Sequence, residues 1–211
     1  MRKSTALHSV CSFLKHYLTA WNTTGEGIHS PYLFHLVRFV LRDQNPFYCF
    51  AEIERERARM ADCNERTDVG QMMFRLVHFM GEHEKRPLRI VEMGAKSGII
   101  TAYLSAPSSR KGVACLDGNT LYKRAREAVD VAYLHGGYTN EDVKRFADFL
   151  LSHLTEKGVL ALEDIHASAE TERVWKELKA DPRVTSSMDM YHVGLLFVDP
   201  HYLKRHYKIR L

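Results

Sequence analysis

The chain has 211 residues, of which 45% are hydrophobic and 27% charged, and its formal net charge is +4. That is long enough to bury a substantial core and too mixed in composition for a disordered chain, while Lys and Arg are spread among nearly as many acids, so no specific nucleic-acid signal arises. No apolar run reaches membrane-spanning length, and Cys11, Cys49, Cys63 and Cys115 form no CxxC pair; a membrane protein, a zinc knuckle and a disulfide framework are set aside, and a cytoplasmic protein with reduced thiols is expected.

Val10, Leu14, Tyr17, Leu18 and Trp21 recur at helical spacing and stop at the sequence NTTGEG, which predicts a first amphipathic helix. Ser30 and Pro31 then supply a cap and a first-turn proline for PYLFHLVRFVLRD, which Asn45-Pro46 ends. AEIERERARM reads as an exposed helix, and DVGQMMFRLVHFM as one with Met72, Met73, Leu76, Val77 and Met80 on its buried side. Residues 1–82 are therefore expected to form a helical segment acting as a lid.

From Pro87 the period changes. LRIVEM, GVACLD, DVAYLHGG and GVLALED are short apolar runs separated by helix-like stretches, the pattern of parallel strands joined by crossovers. Residues 83–211 are thus expected to be an α/β domain with a doubly wound, Rossmann-like sheet. After the helix SAETERVWKELKA, the runs RVTSSMDMYH, VGLLFVD and HYKIRL follow without room for a crossover helix, so antiparallel C-terminal strands are expected. The basic residues of HYLKRHYKIRL alternate with apolar ones, which suits a solvated edge strand better than a nucleic-acid stripe.

Open parallel sheets bind ligands beyond the carboxyl ends of their strands. The first such end carries Glu92, Gly94, Ala95, Ser97 and Gly98. Its GxxxG spacing differs from the dehydrogenase GxGxxG and from a P-loop, so a phosphate cradle and a nicotinamide enzyme are disfavoured. The second end is Asp117, followed by Gly118, where a carboxylate can accept hydrogen bonds from both hydroxyls of a ribose. The fourth offers Glu163, Asp164 and His166. Either His166 is a general base with Asp164 orienting it, or Asp164 and Ser168 cap the next helix. His29, just before Ser30-Pro31, reaches over the pocket as a catalytic group or braces the turn between helices. No metal site is expected: one of the catechol type needs a further acid from the preceding strand, where His135 is the only substitute.

Glu92-x-Gly94-x-x-x-Gly98 followed by Asp117 resembles the cofactor motifs of class I S-adenosylmethionine-dependent methyltransferases. More closely, the chain resembles a bacterial methyltransferase family with an N-terminal GIHSP helical segment, here Gly27 to Pro31. That family's later motif DDIHxS corresponds to Glu163 to Ser168, and its last pattern to Val184 to Phe197. The resemblance implies that Glu92, Gly94 and Gly98, with Ala95 and Ser97 between them, face the methionine part of S-adenosylmethionine, and that Asp117 and Gly118 face its ribose. It implies methyl transfer to a small-molecule acceptor, possible on oxygen, with a homodimer as an allowed assembly. Two departures stand out. The acid expected at the third strand end is replaced by His135, which is then expected among the cofactor-binding residues and as a further candidate base, and residues 118–130 are too few for helix, strand and second helix, so the strand that walls the adenine is expected to be absent. These departures motivate a competing expectation, a catalytically inactive methyltransferase-like binding or interaction protein.

Overall fold

The computed structural model describes residues 2–61, 63–107, 113–116 and 128–210, with the backbone alone for 2–9 and 113–116. The described residues form strands β1 (Ile90–Met93), β2 (Val113–Leu116), β3 (Val129–Leu134), β4 (Leu154–Glu163), β5 (Ser186–Asp189), β6 (Val193–Phe197) and β7 (Arg205–Lys208). They make one sheet in the order β2-β1-β3-β4-β6-β5-β7. The first four strands are parallel. The chain winds outward from β1 to β2 and returns on the other side of β1 with β3, so the switch point lies between β1 and β3. Among the described residues β2 is the edge on that side, with no strand beyond it. Asp117 and Gly118 lie outside the described residues.

The C-terminal strands depart in part from expectation. β6 runs antiparallel to both β4 and β5, but β7 pairs parallel with β5, from Ser186 opposite Arg205 to Asp189 opposite Lys208. Because β6 ends with Phe197 beside Ser186, the first residue of β5, a short loop suffices to start β7 at that same end. Asp199 organises this loop, accepting from the backbone N–H of His201 at 2.9 Å and, through its carbonyl, from that of Tyr202 at 3.1 Å.

Both faces of the sheet are covered, which is why its strands read as nearly continuous apolar runs. Alternate residues divide between two cores. Ile90, Val131, Tyr133, Val159, Ala161 and Leu195 pack with α2 (Pro31–His35), the π-helical turn Leu36–Leu41 and α4 (Thr67–His83), where Met72, Met73 and Met80 fill the core as expected. Val91, Met93, Ala132, Leu134, Leu160 and Leu162 pack against α6 (Asn140–His153) and α7 (Ala169–Ala180) on the other side. A third cluster joins α3 (Phe50–Arg59) to α5 (Ile99–Ser105) through Phe50, Ile53, Phe74 and Tyr103. The helix starts follow from side-chain caps: Ser30 accepts from the Leu33 N–H at 3.3 Å, Thr139 from the Asp142 N–H at 3.2 Å, and Ser168 and Thr171 form a reciprocal capping box.

The first helix, α1 (Arg2–Thr19), is turned the other way from its sequence pattern. Val10, Leu14, Tyr17, Leu18 and Trp21 are all exposed, by 51–82%, whereas His16 is 4% exposed. The reason is polar: His16 lies 3.2 Å from Asp189 and 3.1 Å from the Ile209 carbonyl, and those contacts set the face that meets the sheet. No helix among the described residues is long and apolar enough to cross a membrane.

Leu160, fully buried at the centre of β4, carries the core between the sheet and α6 and α7. Leu160→Ala is expected to lower the unfolding free energy by about 2–5 kcal/mol in urea titrations, and Leu203→Ala, at an exposed loop position, by no more than about 0.5 kcal/mol.

Candidate functional site

A cavity of about 920 Å3 opens beyond the carboxyl ends of β1 and β4, lined by Glu65, Arg66, Lys96, Ser97, Glu163 and Asp164 among others. A second, of about 300 Å3, shares Glu163 and Asp164 and is walled by Tyr138, Val143, Val174 and Trp175. Both meet the rule that ligands of an open α/β sheet sit outside the strand carboxyl ends near the switch point.

The elbow after β1 needs its glycines for separate reasons. Gly94 has a φ of +79° and Gly98 of +84°, both in the left-handed region. A Cβ on Gly94 would stand 2.5 Å from the Tyr138 hydroxyl, so Tyr138 covers that end of the elbow. A Cβ on Gly98 would meet nothing within 4 Å. Lys96 and Ser97, between them, face the larger cavity, and Ala95 is exposed.

Inside this elbow lies a buried charge cluster. Glu92, fully buried in β1, accepts from the Thr101 hydroxyl at 2.6 Å and lies 2.7 Å from His135 Nε2. His135, whose backbone N–H donates to the Met93 carbonyl at 3.0 Å, turns Nδ1 toward Glu163 at 3.5 Å and Glu65 at 3.8 Å, distances of ion pairing. Glu163 also accepts from the Gly136 N–H at 2.9 Å and lies 3.7 Å from Lys96. Ser97 donates to Glu65 and stands 3.5 Å from the Cys63 thiol.

These neighbours set the protonation states. Burial works against charge on His135, but Glu163 and Glu92 outweigh it and raise the imidazole to about 9. Burial likewise acts to raise Glu163, yet His135 and the Gly136 N–H hold it at about 2. At neutral pH the pair is an imidazolium and a carboxylate. Asp164 behaves differently: burial, with the adjacent Glu163 charge, pushes it up. Its φ of +59° is strained for a non-glycine residue, and its carboxylate sits so close to Gly136 that a Cβ there would be 2.3 Å away. His192, on the wall of the larger cavity, is held below its usual value by burial and by Arg66.

The structure thus brings Glu92, Gly94, Ser97, Gly98, His135 and Asp164 to one place. It does not bring His166 or His29 there. His29 is exposed and lines neither cavity, and Asp164 is not the partner of His166. His166 Nε2 lies 2.9 Å from Asp189 and Nδ1 2.9 Å from Glu172, so the turn after Asp164 carries the imidazole away from the strand-end cavity toward β5. The capping expectation is met by Ser168. Glu65, Arg66, Cys63 and His192 were missed, since each arrives from a distant segment and no local spacing marks it, whereas Tyr138 is the pocket wall its aromatic character suggested.

No protein-family model and no curated protein sequence matches the chain. Solved structures do. Cofactor-bound Rv0187 from MTB is 12% identical with a TM-score of 0.57, over 73% of this chain and 91% of that one. An O-methyltransferase from Bacillus cereus in complex with SAH is 13% identical with a TM-score of 0.53, over 73% and 92%. An SAH-bound methyltransferase from Podospora anserina is 12% identical with a TM-score of 0.51, over 74% and 90%. At these identities the likeness is one of fold, and the chain has a class I methyltransferase fold.

A histidine whose folded value is raised contributes stability that is complete below its unfolded value of 6.5 and lost as pH climbs through about 9. The groups facing His135 are Glu65, Glu92 and Glu163, with Lys96 beyond Glu163 and the Tyr133 ring alongside. Unfolding free energy is therefore expected to fall by up to about 3 kcal/mol between those limits, and this part of the pH slope to vanish in His135→Gln, as measured by chemical denaturation across that pH range.

Proposed function

We propose that the protein binds S-adenosylmethionine in the strand-end cavity and transfers its methyl group to a small-molecule acceptor, on oxygen. The observation that carries this reading is the roughly 920 Å3 cavity at the end of β1, bordered by the Lys96–Ser97 part of the glycine elbow in a class I methyltransferase fold. Its volume is within the range of ligand pockets, about 300–1,000 Å3, and the open space at Gly98 leaves room for a ligand to approach backbone. The O-methyltransferase from Bacillus cereus and the Podospora anserina enzyme are SAH-bound in their structures, which supports the same ligand class here.

On this reading Ser97, Gly98 and Lys96 hold the methionine part, with Glu92 beneath them held by Thr101 and His135. Asp117 and Gly118 take the ribose, as the sequence resemblance implies. When bound, the cofactor supplies a methyl group by in-line displacement, which asks the protein chiefly to align two reactants and exclude water. Met60, Cys63, Asn64, Glu65 and Arg66 contribute one wall of the cavity, and on this reading the helical segment they come from serves as its lid. Asp164 and His192 line the space where an acceptor hydroxyl would sit, and either can take its proton. Free Cys11, Cys49 and Cys63 fit a cytoplasmic setting.

A second reading, a catalytically inactive binding protein, is favoured by Tyr138 over Gly94 and by the engagement of Glu92 with His135. Calorimetry decides between them. Under the enzyme reading S-adenosylmethionine and S-adenosylhomocysteine bind, and Asp117→Ala weakens both by about 1–3 kcal/mol through lost ribose hydrogen bonds. Absence of any heat at millimolar ligand would leave only the inactive reading, and an unchanged affinity in the variant would take Asp117 out of the site.

A further inference from the structure

Away from the strand-end cavity, α1, β5 and the turn before α7 meet at a second cluster of buried polar groups. His16 comes from α1, His166 from the turn, and Asp189 from the last position of β5. We propose that His16, His166 and Asp189 form a binding site for a divalent first-row transition-metal ion of the zinc type, which fastens α1 to the sheet.

The donor atoms converge. His16 Nδ1 lies 3.2 Å from Asp189 Oδ1, His166 Nε2 lies 2.9 Å from Oδ2, and one ligand atom from each of the three residues falls within 4.8 Å of the others. Ligands at about 2.0–2.1 Å from an ion are separated by about 2.9 Å in octahedral and about 3.4 Å in tetrahedral geometry. The two imidazole–carboxylate spacings lie in that range.

The far side of each imidazole is equipped as a metal ligand requires. Metal-bound histidines hold their second ring nitrogen against a carboxylate or a backbone carbonyl, which fixes the tautomer and aims the other nitrogen. His166 Nδ1 lies 2.9 Å from the Glu172 carboxylate, and His16 Nε2 lies 3.1 Å from the Ile209 carbonyl. A carbonyl only accepts, so His16 Nε2 carries a proton. In the neutral ring its Nδ1 then presents a lone pair to the Asp189 carboxylate. That Nδ1 is buried without a hydrogen-bond partner, on a residue 4% exposed. A cation between that nitrogen and the carboxylate would satisfy both.

The donor set selects the ion. Two imidazoles and one carboxylate suit zinc, cobalt, nickel or ferrous iron, whereas calcium and magnesium require several oxygens. A cavity of about 230 Å3, lined by Phe13, His16, Tyr191, His192 and Ile209 among others, reaches the His16 side of the cluster. Val10, Leu14 and Leu18 of α1 are exposed, so an ion at the buried His16 has a clear structural consequence.

The test uses the full chain, stripped with EDTA and dialysed, then titrated with zinc chloride by calorimetry and with cobalt chloride by visible absorption. Expected are saturation near one equivalent, a higher melting temperature with zinc, and protection of α1 from limited proteolysis. His16→Ala and His166→Gln should weaken zinc binding at least about tenfold, and Glu172→Gln about 10–100-fold. His201→Ala, in the exposed group with Glu156 and Asp199, should leave it unchanged. Lack of saturable binding by the wild-type protein overturns the proposal, as does full-affinity binding in a folded His16→Ala variant or binding lost in His201→Ala. Should the histidine variants fail to fold, proteolysis of wild-type α1 decides: equal cleavage with and without zinc overturns the site.

Discussion

One charged imidazole holds the carboxyl ends of the central strands together. Glu92, Glu163 and Glu65 are drawn into the interior around His135, and an isolated carboxylate in such a place would carry a desolvation cost of several kcal/mol. His135 meets that requirement from the end of β3, between β1 and β4, so the three strand ends form one polar unit. Gly136 completes it twice over: its N–H serves Glu163, and its missing side chain admits Asp164. The strained backbone of Asp164 is the local cost of placing that carboxyl between the two cavities.

The same unit shapes what the elbow offers to a ligand. His135 engages Glu92 from below and Tyr138 covers Gly94 from the side, while Lys96, Ser97 and the space at Gly98 stay toward the larger cavity. On the proposed reading, the cofactor's methionine end is met by the second half of the GxxxG turn. The inactive reading draws on the first half. Both follow from His135, whose imidazole makes the end of β3 part of an internal salt-bridge network with Glu92 and Glu163.

A comparable solution recurs at the other end of the sheet. Asp189 is buried at the end of β5 with His16 and His166 around it, and it positions α1 through polar contacts although the helix sequence advertises an apolar stripe. The helices between α1 and β1 behave otherwise. α2, the π-helical turn and α4 share one core with the sheet, so the helical segment is tied to the α/β part by apolar packing near its end and by imidazole–carboxylate contacts near its start.

Much was legible in the chain itself. The apolar runs from Ile90 onward, the capping residues Ser30 and Ser168, the methionine-rich face of α4 and the glycine elbow are local signals, because period, cap chemistry and positive φ are fixed by residues within a few positions of one another. The doubly wound order followed from those runs and the helices between them. The direction of β7 did not, since it depends on which end of β5 the preceding strand reaches. Nor did the outward turn of the apolar face of α1, the cover over Gly94 by Tyr138, or the departure of His166 from Asp164 to Asp189. Each joins residues far apart in sequence, and a buried charge selects its partner by proximity in the folded core, where the low dielectric makes an unpaired group costly. Period and turn chemistry were therefore written in the sequence by itself, while the pairing of buried charges, and with it the form of both candidate sites, was decided only by the tertiary structure.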